Sequence, residues 1–447
     1  MKSPAKFDRE AAPNKNDVGV RTGSRGSRLT GFVFEHLVRA LAGVMPVGTA
    51  ADKGLSSYFR LHPGLGSSDR HLVAETVYAV LRNRRSLAAC AGSELPRDLA
   101  LAALVRIRGF NLKQFEHVTR SGDAALIARI KAFELADLAA SIRLDLPDWL
   151  WERLLGERGD AEATRLAVAL KSSAPLTLRV NLYKATREQA RARLLACGIE
   201  TAPTPLAPHG LIALGHPTLA RHPLFLEGVI EVQDEGSQLL AELVAPRRGE
   251  MVADFCAGAG GKTLALGALM RSSGRLYAFD VSAGRLAKLK PRLARSGLSN
   301  VHPVRIESEN DLRVKRLAGK LARVLVDAPC TGLGTLRRNP ELKWRQTGAD
   351  VAELAAKQFA ILGGAARMVQ PGGRLVYATC SLLREENADV VARFLESHAD
   401  FRIISSRQIL ERQGIDIDAG DGGDALELLP HIHGTDGFYA VAMERAR

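Results

Sequence analysis

The sequence predicts an α/β protein, with a doubly wound, mostly parallel sheet in its carboxy-terminal part and an all-helical region before it. Four short apolar runs separated by helical segments predict the sheet: Met251–Phe255, Arg275–Phe279, Arg323–Val326 and Arg374–Tyr377. Alternating strands and helices are typical of parallel sheets covered by helices on both faces. Residues 29–140 instead carry apolar side chains at three- and four-residue spacing, which predicts a helical bundle.

Composition narrows the class of protein. A chain of 447 residues suggests several domains, and a hydrophobic content of 46% excludes a disordered protein. Lys and Arg number 62 against 49 Asp and Glu, and the net charge of +13 suggests a nucleic-acid partner, although an ordinary basic enzyme has the same balance. Residues 1–140 hold 21 basic and 13 acidic residues, which is +8 of that charge. This part is therefore the better candidate for binding a phosphate backbone.

The cysteines indicate a reducing environment. They are Cys90, Cys197, Cys256, Cys330 and Cys380. Because none forms a CxxC pair, we expect no zinc or other metal site, and an odd number without framework spacing predicts a reducing compartment, the cytoplasm. No apolar run is long enough to span a membrane. Residues 1–28 lack the apolar segment of a secretory signal, and we interpret them as a disordered basic tail whose contact with RNA is open.

Two boundaries divide the rest of the chain into three predicted parts. The helical bundle covers residues 29–140, a small α/β module covers 141–247, and the parallel sheet covers 248–447. The module is predicted from three strand-like runs and one helix: Leu176–Val180, Gly210–Leu214, Gly228–Val232 and Arg187–Leu195. The pattern does not determine the oligomeric state.

A glycine-rich turn follows the first strand of the predicted sheet, at the edge where such sheets bind ligands. The phosphate-loop pattern fails because Cys256 replaces its first glycine, and the dinucleotide pattern fails because Thr263 replaces its third. The remaining candidates for ligand contact are consecutive: Cys256, Ala257, Gly258, Ala259, Gly260, Gly261 and Lys262. Such a turn brings backbone amides and a helix N-terminus close to a ligand, or it is simply a tight connection.

Asp280 ends the second strand-like run, twenty residues after Gly260. A carboxylate at this position accepts hydrogen bonds from a ribose diol, so the turn and Asp280 together suggest an adenosine-bearing cofactor. The alternative is that Asp280 caps the following helix.

Two cysteines and a carboxylate follow the other two strands. Asp327 and Cys330 come after the third run, and Cys380 comes after the fourth. A buried cysteine alone is usually a small hydrophobic residue, but two thiols beside a carboxylate at one sheet edge suggest chemistry. A thiolate that adds to carbon 6 of a pyrimidine makes carbon 5 nucleophilic toward an electrophilic methyl group. A carboxyl group then relieves charge on the ring and a second thiol assists product release, but spacing does not say which thiol attacks.

Four segments resemble the Sun family of RNA cytosine-5 methyltransferases. They are Val232–Ser237, Asp254–Thr263, Asp327–Trp344 and Tyr377–Asn387, and the resemblance covers about residues 140–445. It implies a Rossmann-like domain that binds S-adenosylmethionine through Cys256–Lys262 and Asp280. It also implies that Cys380 is the nucleophile, that Cys330 helps release the product, and that Asp327 contacts the base near the methyl donor. DNA cytosine methyltransferases use the cysteine that corresponds to Cys330 instead.

One position departs from the family pattern. The family usually has an Asp near Ser308 that meets the adenine, whereas this chain has Glu307, Ser308 and Glu309, with Asp311 slightly later. The resemblance leaves open whether a neighbouring Glu or Asp311 takes over that contact.

The helical region resembles the NusB-like RNA-binding domain of the family branch that modifies small-subunit ribosomal RNA. The resemblance rests on Asp69-Arg70 and on Val77–Arg82. It implies RNA, most simply small-subunit ribosomal RNA, as the partner. Transfer RNA remains an alternative substrate. Two alternative functions also remain: a DNA cytosine methyltransferase and a non-catalytic RNA-binding assembly factor. The target base must be unpaired or flipped, since stacking hides carbon 6.

Several further side chains have two interpretations. Arg337, Arg338, Lys343 and Trp344 suggest RNA contacts, or else a solvated loop with one packed Trp. Arg82, Arg84 and Arg85 suggest an RNA-binding cluster or a plain solvated helix face. Trp149 and Trp151 are interpreted as core, and Glu385 and Glu386 as residues that begin a helix.

Overall fold

The computed structural model describes residues 29–46, 48, 50–215, 217–417 and 424–447. The predicted basic tail, residues 1–28, lies outside these ranges. Among the helices within them, none combines the length and the apolar character that crossing a bilayer requires.

The amino-terminal part is a helical bundle, as the apolar spacing predicts. Its helices are α1 (Gly31–Val44), α2 (Ala51–Leu61), α3 (Ser67–Arg82), α4 (Arg84–Ala91), α5 (Pro96–Arg106) and α6 (Asp123–Ala132). Thr30 caps α1 by accepting a hydrogen bond from the backbone N–H of Val33. Apolar residues from all six helices share one core, in which Leu37, Leu101 and Leu104 are fully buried.

Three more helices lead to the module: α7 (Ala140–Arg143), α8 (Asp148–Arg158) and α9 (Asp160–Leu170). Their apolar faces pack against Leu333, Leu382 and Leu429 of the carboxy-terminal part rather than against the amino-terminal core. Trp151 is 8% exposed in this cluster, and Trp149 packs beside it, in agreement with the interpretation of both as core residues.

The module contains a four-stranded antiparallel sheet in the order β2-β3-β1-β4. Its strands and helices are β1 (Leu176–Val180), α10 (Arg187–Ala196), β2 (Thr201–Pro203), β3 (Gly210–Ala213), α11 (Pro223–Leu226) and β4 (Ile230–Val232). The three predicted strands and the predicted helix are present. The short strand β2 was not predicted, because three residues carry too little pattern.

The carboxy-terminal part is an eight-stranded mixed sheet with helices on both faces. Its strands are β5 (Met251–Asp254), β6 (Arg275–Asp280), β7 (Val301–Arg305), β8 (Leu321–Asp327), β9 (Val369–Thr379), β10 (Phe401–Ile404), β11 (Leu426–Leu428) and β12 (Phe438–Arg445). Strands β5 to β9 are parallel in the order β9-β8-β5-β6-β7, and antiparallel strands extend the sheet beyond β9. The strand order reverses between β5 and β8, which opens a crevice at their carboxyl ends.

Helices cover both faces of this sheet. They are α12 (Glu235–Val244), α13 (Gly261–Leu269), α14 (Ala283–Ser296), α15 (Leu312–Lys315), α16 (Leu342–Arg345), α17 (Gly348–Ala366), α18 (Ala388–Ser397), α19 (Ser406–Glu411) and α20 (Pro430–His433). Helices α12, α13, α14 and α19 contribute to one apolar core, and α17 and α18 contribute to the core on the opposite face. Helix α12 thus packs on the large sheet, although it lies within the predicted module.

The helical bundle docks on the segment around α16. Trp344 Nε1 donates to the carbonyl of Leu81 at 2.7 Å, and Lys343 Nζ donates to the carbonyl of Arg82 at 2.9 Å. The Arg82 guanidinium returns a bond of 3.0 Å to the carbonyl of Arg337. Lys343 is only 3% exposed, so the interpretation of this side chain as a phosphate contact is wrong.

The other basic residues of this region are also bound within the protein. Arg337 is 7% exposed and donates to the carbonyls of Ser173, Gly434 and Thr435. Arg338 forms ion pairs with Asp234 at 2.9 Å and Asp436 at 2.7 Å. These bonds argue against an RNA contact at either residue.

The basic cluster on the bundle has internal partners as well. Arg84 pairs with Glu94 at 2.8 Å, and Arg85 pairs with Asp148 at 2.7 Å. Since Arg82 is held in the docking interface, this cluster is neither a free RNA-binding patch nor a plain solvated face.

The buried amine of Lys343 predicts a pH-dependent stability. Burial lowers the pKa of Lys343 to about 7. The unfolded chain binds this proton more tightly, so the folded state loses stability through Lys343 at neutral pH and recovers it as the pH rises toward 10. We expect Lys343→Met to raise the melting temperature by roughly 2–5 °C at pH 7, with a gain that shrinks at higher pH, measured by thermal unfolding. Lys290→Met, at an exposed position of α14, is the control. A gain that is independent of pH contradicts the prediction.

Candidate active site

The carboxyl ends of β5, β6, β8 and β9 surround a cavity of about 630 Å³. All predicted site residues except Gly260 line it. The glycine-rich turn and Asp280 stand at one side, and Asp327, Cys330 and Cys380 stand at the other. The fold therefore brings the two groups of residues together in one cavity at the carboxyl ends of the strands, as the strand-end rule predicts.

The glycine-rich turn has a backbone conformation that residues with a Cβ atom rarely adopt. Gly258 has φ +56° and Gly260 has φ +85°, both in the left-handed region. A Cβ on Gly260 would lie 2.1 Å from Leu289 Cδ1, so this glycine permits close packing of the turn against α14 and does not face the cavity. Helix α13 begins at the next residue with its N-terminus toward the cavity, where backbone N–H groups favour polar or anionic ligands.

Asp280 ties the turn to the second strand. It is 3% exposed and accepts hydrogen bonds from the backbone N–H of Gly258 at 2.8 Å and of Ser282 at 2.7 Å. The N-cap of α14 is Ser282, so Asp280 is not the cap that was the alternative interpretation. Because a carboxylate has about four acceptor positions, Asp280 retains capacity toward a ligand in the cavity.

The segment after β7 contains the position near Ser308 that departs from the family pattern. Glu307, Ser308 and Glu309 line the cavity, whereas Asp311 does not. The Asp311 carboxylate caps α15 and accepts from the N–H groups of Arg313 at 2.8 Å and Glu307 at 3.0 Å. Asp311 is therefore occupied, and the two glutamates are the acids that face the cavity here.

The two thiols are in contact. Cys330 Sγ lies 3.3 Å from Cys380 Sγ, and both cysteines are free. The hydrogen bond with Cys380, burial and nearby negative charge raise the pKa of Cys330 well above its usual value. Burial likewise raises the pKa of Cys256, which lines the cavity on the turn side. A single base placed beside Cys330 and Cys380 can thus contact both thiols.

Lys262 belongs to the turn but points to the thiol side of the cavity. Its Nζ lies 2.7 Å from Asp327 Oδ2 and 5.5 Å from the centre of the Phe438 ring. Burial opposes the charge of the amine, but the negative groups around it, Asp327 foremost, together outweigh burial and raise the pKa of Lys262. Sequence reasoning assigned Lys262 to the cofactor and missed this pair, because the two residues are 65 positions apart.

Comparison with known proteins shows which family has a sequence similar to this chain. Residues 241–444 match the sequence model of the family described as 16S rRNA methyltransferase RsmB/F, and residues 146–218 match its ferredoxin-like domain. A relative in Synechocystis, a probable ribosomal RNA small subunit methyltransferase B, is 32% identical over 88% of this chain and 95% of its own length. The chain belongs to this family. The resemblance to the Sun family is thereby confirmed.

Other members of the RsmB/F family and solved structures agree on the fold. A probable ribosomal RNA small subunit methyltransferase B of Bacillus subtilis is 33% identical over 67% of this chain and 66% of its own length. The crystal structure of PH0851 covers 93% of this chain and 99% of its own, with a TM-score of 0.76 and 25% identity. A methyltransferase homologue from Pyrococcus horikoshii covers 68% of this chain and 97% of its own, with a TM-score of 0.59 and 30% identity. The predicted Rossmann-like methyltransferase fold is confirmed, and the small module is ferredoxin-like.

Asp254, at the end of β5, is the most strongly perturbed acid of the site in this RsmB/F member. It is 1% exposed and accepts a hydrogen bond of 2.6 Å from Thr263 Oγ1. Burial raises the pKa of Asp254 to about 7, although the bond from Thr263 opposes the shift.

The raised pKa of Asp254 gives a test of the site's stability. The folded state holds the Asp254 proton more tightly than the unfolded chain, so stability falls as the pH rises from about 4 to about 7 and then stays level. We expect Asp254→Asn, which keeps the bond from Thr263 and cannot ionise, to raise the melting temperature by roughly 2–5 °C at pH 8 and by little near pH 4. Thermal unfolding without ligand measures this. Asp137→Asn, in an exposed loop, is the control, and an equal gain at both pH values would count against the shift.

Proposed function

We propose that this protein transfers a methyl group from S-adenosylmethionine to carbon 5 of a cytosine in small-subunit ribosomal RNA, through a covalent adduct on Cys380. The contact of 3.3 Å between Cys330 Sγ and Cys380 Sγ carries the proposal. It supports a reaction that uses two thiols on one base, and the names of the RsmB/F relatives support ribosomal RNA as the substrate.

The turn side of the cavity fits S-adenosylmethionine. A cavity of about 630 Å³ is within the usual range for ligands of this size. The backbone around Cys256–Lys262, the remaining acceptor capacity of Asp280, and Glu307 or Glu309 would hold the cofactor. When bound there, it supplies an electrophilic methyl group beside the thiol side of the same space.

The thiol side supplies the covalent chemistry. Addition of the Cys380 thiolate to carbon 6 forms the S–C6 bond and moves the double-bond electrons toward carbon 5, which becomes the nucleophile. Asp327 and Lys262, paired at 2.7 Å, present a carboxyl group and an amine to the polar edge of the ring. After methyl transfer, a base at the site takes the proton from carbon 5, the C–H electrons re-form the C5=C6 double bond, and the S–C6 electrons return to Cys380. Cys330, in contact with Cys380, assists this release.

The rest of the chain brings RNA to the cavity in this proposal. Residues 29–140 form a NusB-like RNA-binding domain, residues 141–247 a linking module and residues 248–447 the methyltransferase domain. The excess of basic residues before residue 140 supports the RNA-binding role. Free thiols at the site fit a protein that works in the cytoplasm.

The two cysteines have different predicted phenotypes. We expect Cys380→Ala to abolish methyl transfer to RNA, since no adduct forms. We expect Cys330→Ala to accumulate a covalent protein–RNA adduct, visible as a heat-stable shift on a denaturing gel. The exposed Cys197→Ala is the matched control and should behave as wild type. An inactive Cys330→Ala together with an adduct in Cys380→Ala assigns attack to Cys330 instead, as in the DNA enzymes.

The RNA target has its own test. We expect bisulfite sequencing of a deletion strain to show loss of 5-methylcytosine at a position in small-subunit ribosomal RNA. Wild-type protein should restore it and Cys380→Ala should not. Loss confined to transfer RNA contradicts the target, and no loss in any RNA favours a non-catalytic assembly factor.

A further inference from the structure

A buried carboxyl group lies behind the two thiols and bonds to both of their loops. Glu386 is fully buried and accepts from the backbone N–H of Thr331 at 2.9 Å and from Thr331 Oγ1 at 2.5 Å. It also accepts from Ser381 Oγ and, at 2.9 Å, from Gln358 Nε2. Thr331 follows Cys330 directly, and Ser381 follows Cys380. One side chain therefore anchors the residues next to both thiols.

The anchor is itself held rigidly. Tyr377 Oη donates to the Glu386 carbonyl at 2.5 Å, and Asn387 Nδ2 donates to the Ser381 carbonyl at 3.1 Å. Gln358, from α17, donates to the carbonyl of Pro329 at 2.9 Å as well as to Glu386. The Glu386 carboxylate thus joins helix α17 to both cysteine loops, the Glu386 carbonyl adds strand β9, and none of the four groups can shift without breaking a buried hydrogen bond.

The charge of Glu386 needs an explanation beyond geometry. Its four donors are neutral, and it forms no ion pair with any residue in the described part of the chain. Burying a charge without a cation is costly, whereas a glutamine could accept the same bonds on one oxygen and donate to the two hydroxyls from its amide. The position thus holds an ionisable acid where an amide could make the same hydrogen bonds.

The hydrogen bonds of Glu386 favour the Cys330 loop. Thr331, next to Cys330, donates to Glu386 twice, whereas Ser381, next to Cys380, donates once. Gln358 adds a further link to the Cys330 loop through the carbonyl of Pro329. A negative charge at Glu386 is also among the causes that raise the pKa of Cys330, after the bond to Cys380, burial and the charge of Cys380.

We propose that Glu386 is a positioning residue that, through its bonds to Thr331, Ser381 and Gln358, holds Cys330 against Cys380 so that Cys330 can act on the adduct that Cys380 forms. This role rests on the proposed function. It deepens that function by assigning the alignment of the two thiols to a residue that touches neither substrate nor cofactor.

Two variants of Glu386 separate geometry from charge. Glu386→Ala removes both, so the loops relax and release of the adduct slows. Glu386→Gln keeps most of the hydrogen bonds and removes the charge. A buried carboxyl away from the cysteines is the matched control: Asp145→Asn alters a residue that accepts from Ser86 and Lys171.

The first measurement is the ratio of turnover to the rate of adduct formation on RNA. A loss of folded protein lowers both rates equally and leaves the ratio unchanged, whereas a misplaced Cys330 lowers turnover alone. We expect the ratio to fall about tenfold or more in Glu386→Ala, with adduct accumulating although both thiols are present. We expect it to stay within about threefold of wild type in Glu386→Gln and Asp145→Asn. An unchanged ratio in a folded Glu386→Ala overturns the positioning role.

The second measurement needs neither RNA nor cofactor. In a Cys380→Ala background, the rate of alkylation of Cys330 at one pH, followed by peptide mass mapping, reports how firmly its loop is held. We expect Glu386→Ala to react about threefold faster or more than Glu386→Gln, because both lack the carboxylate and only the first loses the hydrogen bonds of the loop. Asp145→Asn should react at the rate of the Cys380→Ala parent. Equal rates in Glu386→Ala and Glu386→Gln overturn the positioning role. If wild-type protein transfers no methyl group to RNA, the proposed function fails, and this comparison still decides whether Glu386 controls Cys330.

Discussion

The parallel pairing of β8 with β9 is the constraint on which the site depends. Asp327 at the end of β8 lies opposite Ala378 of β9. Adjacent strands are about 4.8 Å apart, so residues that follow these positions emerge side by side. Cys330 and Cys380 meet at 3.3 Å for this reason, although 50 positions separate them. On the other side of β8, the reversal of strand order toward β5 opens the crevice in which a ligand can lie next to the thiols.

The same constraint explains which parts of the site could be predicted from sequence. Apolar runs mark strands, and the rule that ligands lie beyond the carboxyl ends of parallel strands points to Asp280, Asp327, Cys330 and Cys380 without any contact being known. The rule does not say which of the two thiols attacks the base. The distance between the thiols does not say so either, because it treats both in the same way. Their surroundings differ in the bonds that hold each loop: Glu386 accepts two hydrogen bonds from Thr331, next to Cys330, and one from Ser381, next to Cys380. These neighbours come from other elements, so local pattern could not reveal them.

The basic residues show where sequence reasoning fails. The sequence suggests either RNA contacts or a solvated loop for Arg337 and Arg338, and both interpretations place the two side chains at the surface. In the structure, Arg337 donates to the carbonyl of Gly434, 97 positions away. Arg338 pairs with the carboxylates of Asp436 and Asp234, which are 98 and 104 positions away. Such long-range pairing leaves no local signal. The net charge of +13 therefore does not show where cations are free to bind RNA, since several basic side chains bond to acids or carbonyls inside the protein.

The chain between β8 and α17 links the two cysteines to the helical bundle. It carries Cys330 at its start, and Lys343 and Trp344 near its end bond to the carbonyls of Arg82 and Leu81. Arg337 fixes its middle by bonding to three carbonyls. Because each anchor is at least partly buried, the bundle cannot rotate relative to Cys330 without breaking hydrogen bonds that water does not replace. The bonds of Arg85 and Ser86 to Leu146, Asp148 and Asp145 add a second attachment, so the bundle and the cysteine site are held in one fixed arrangement.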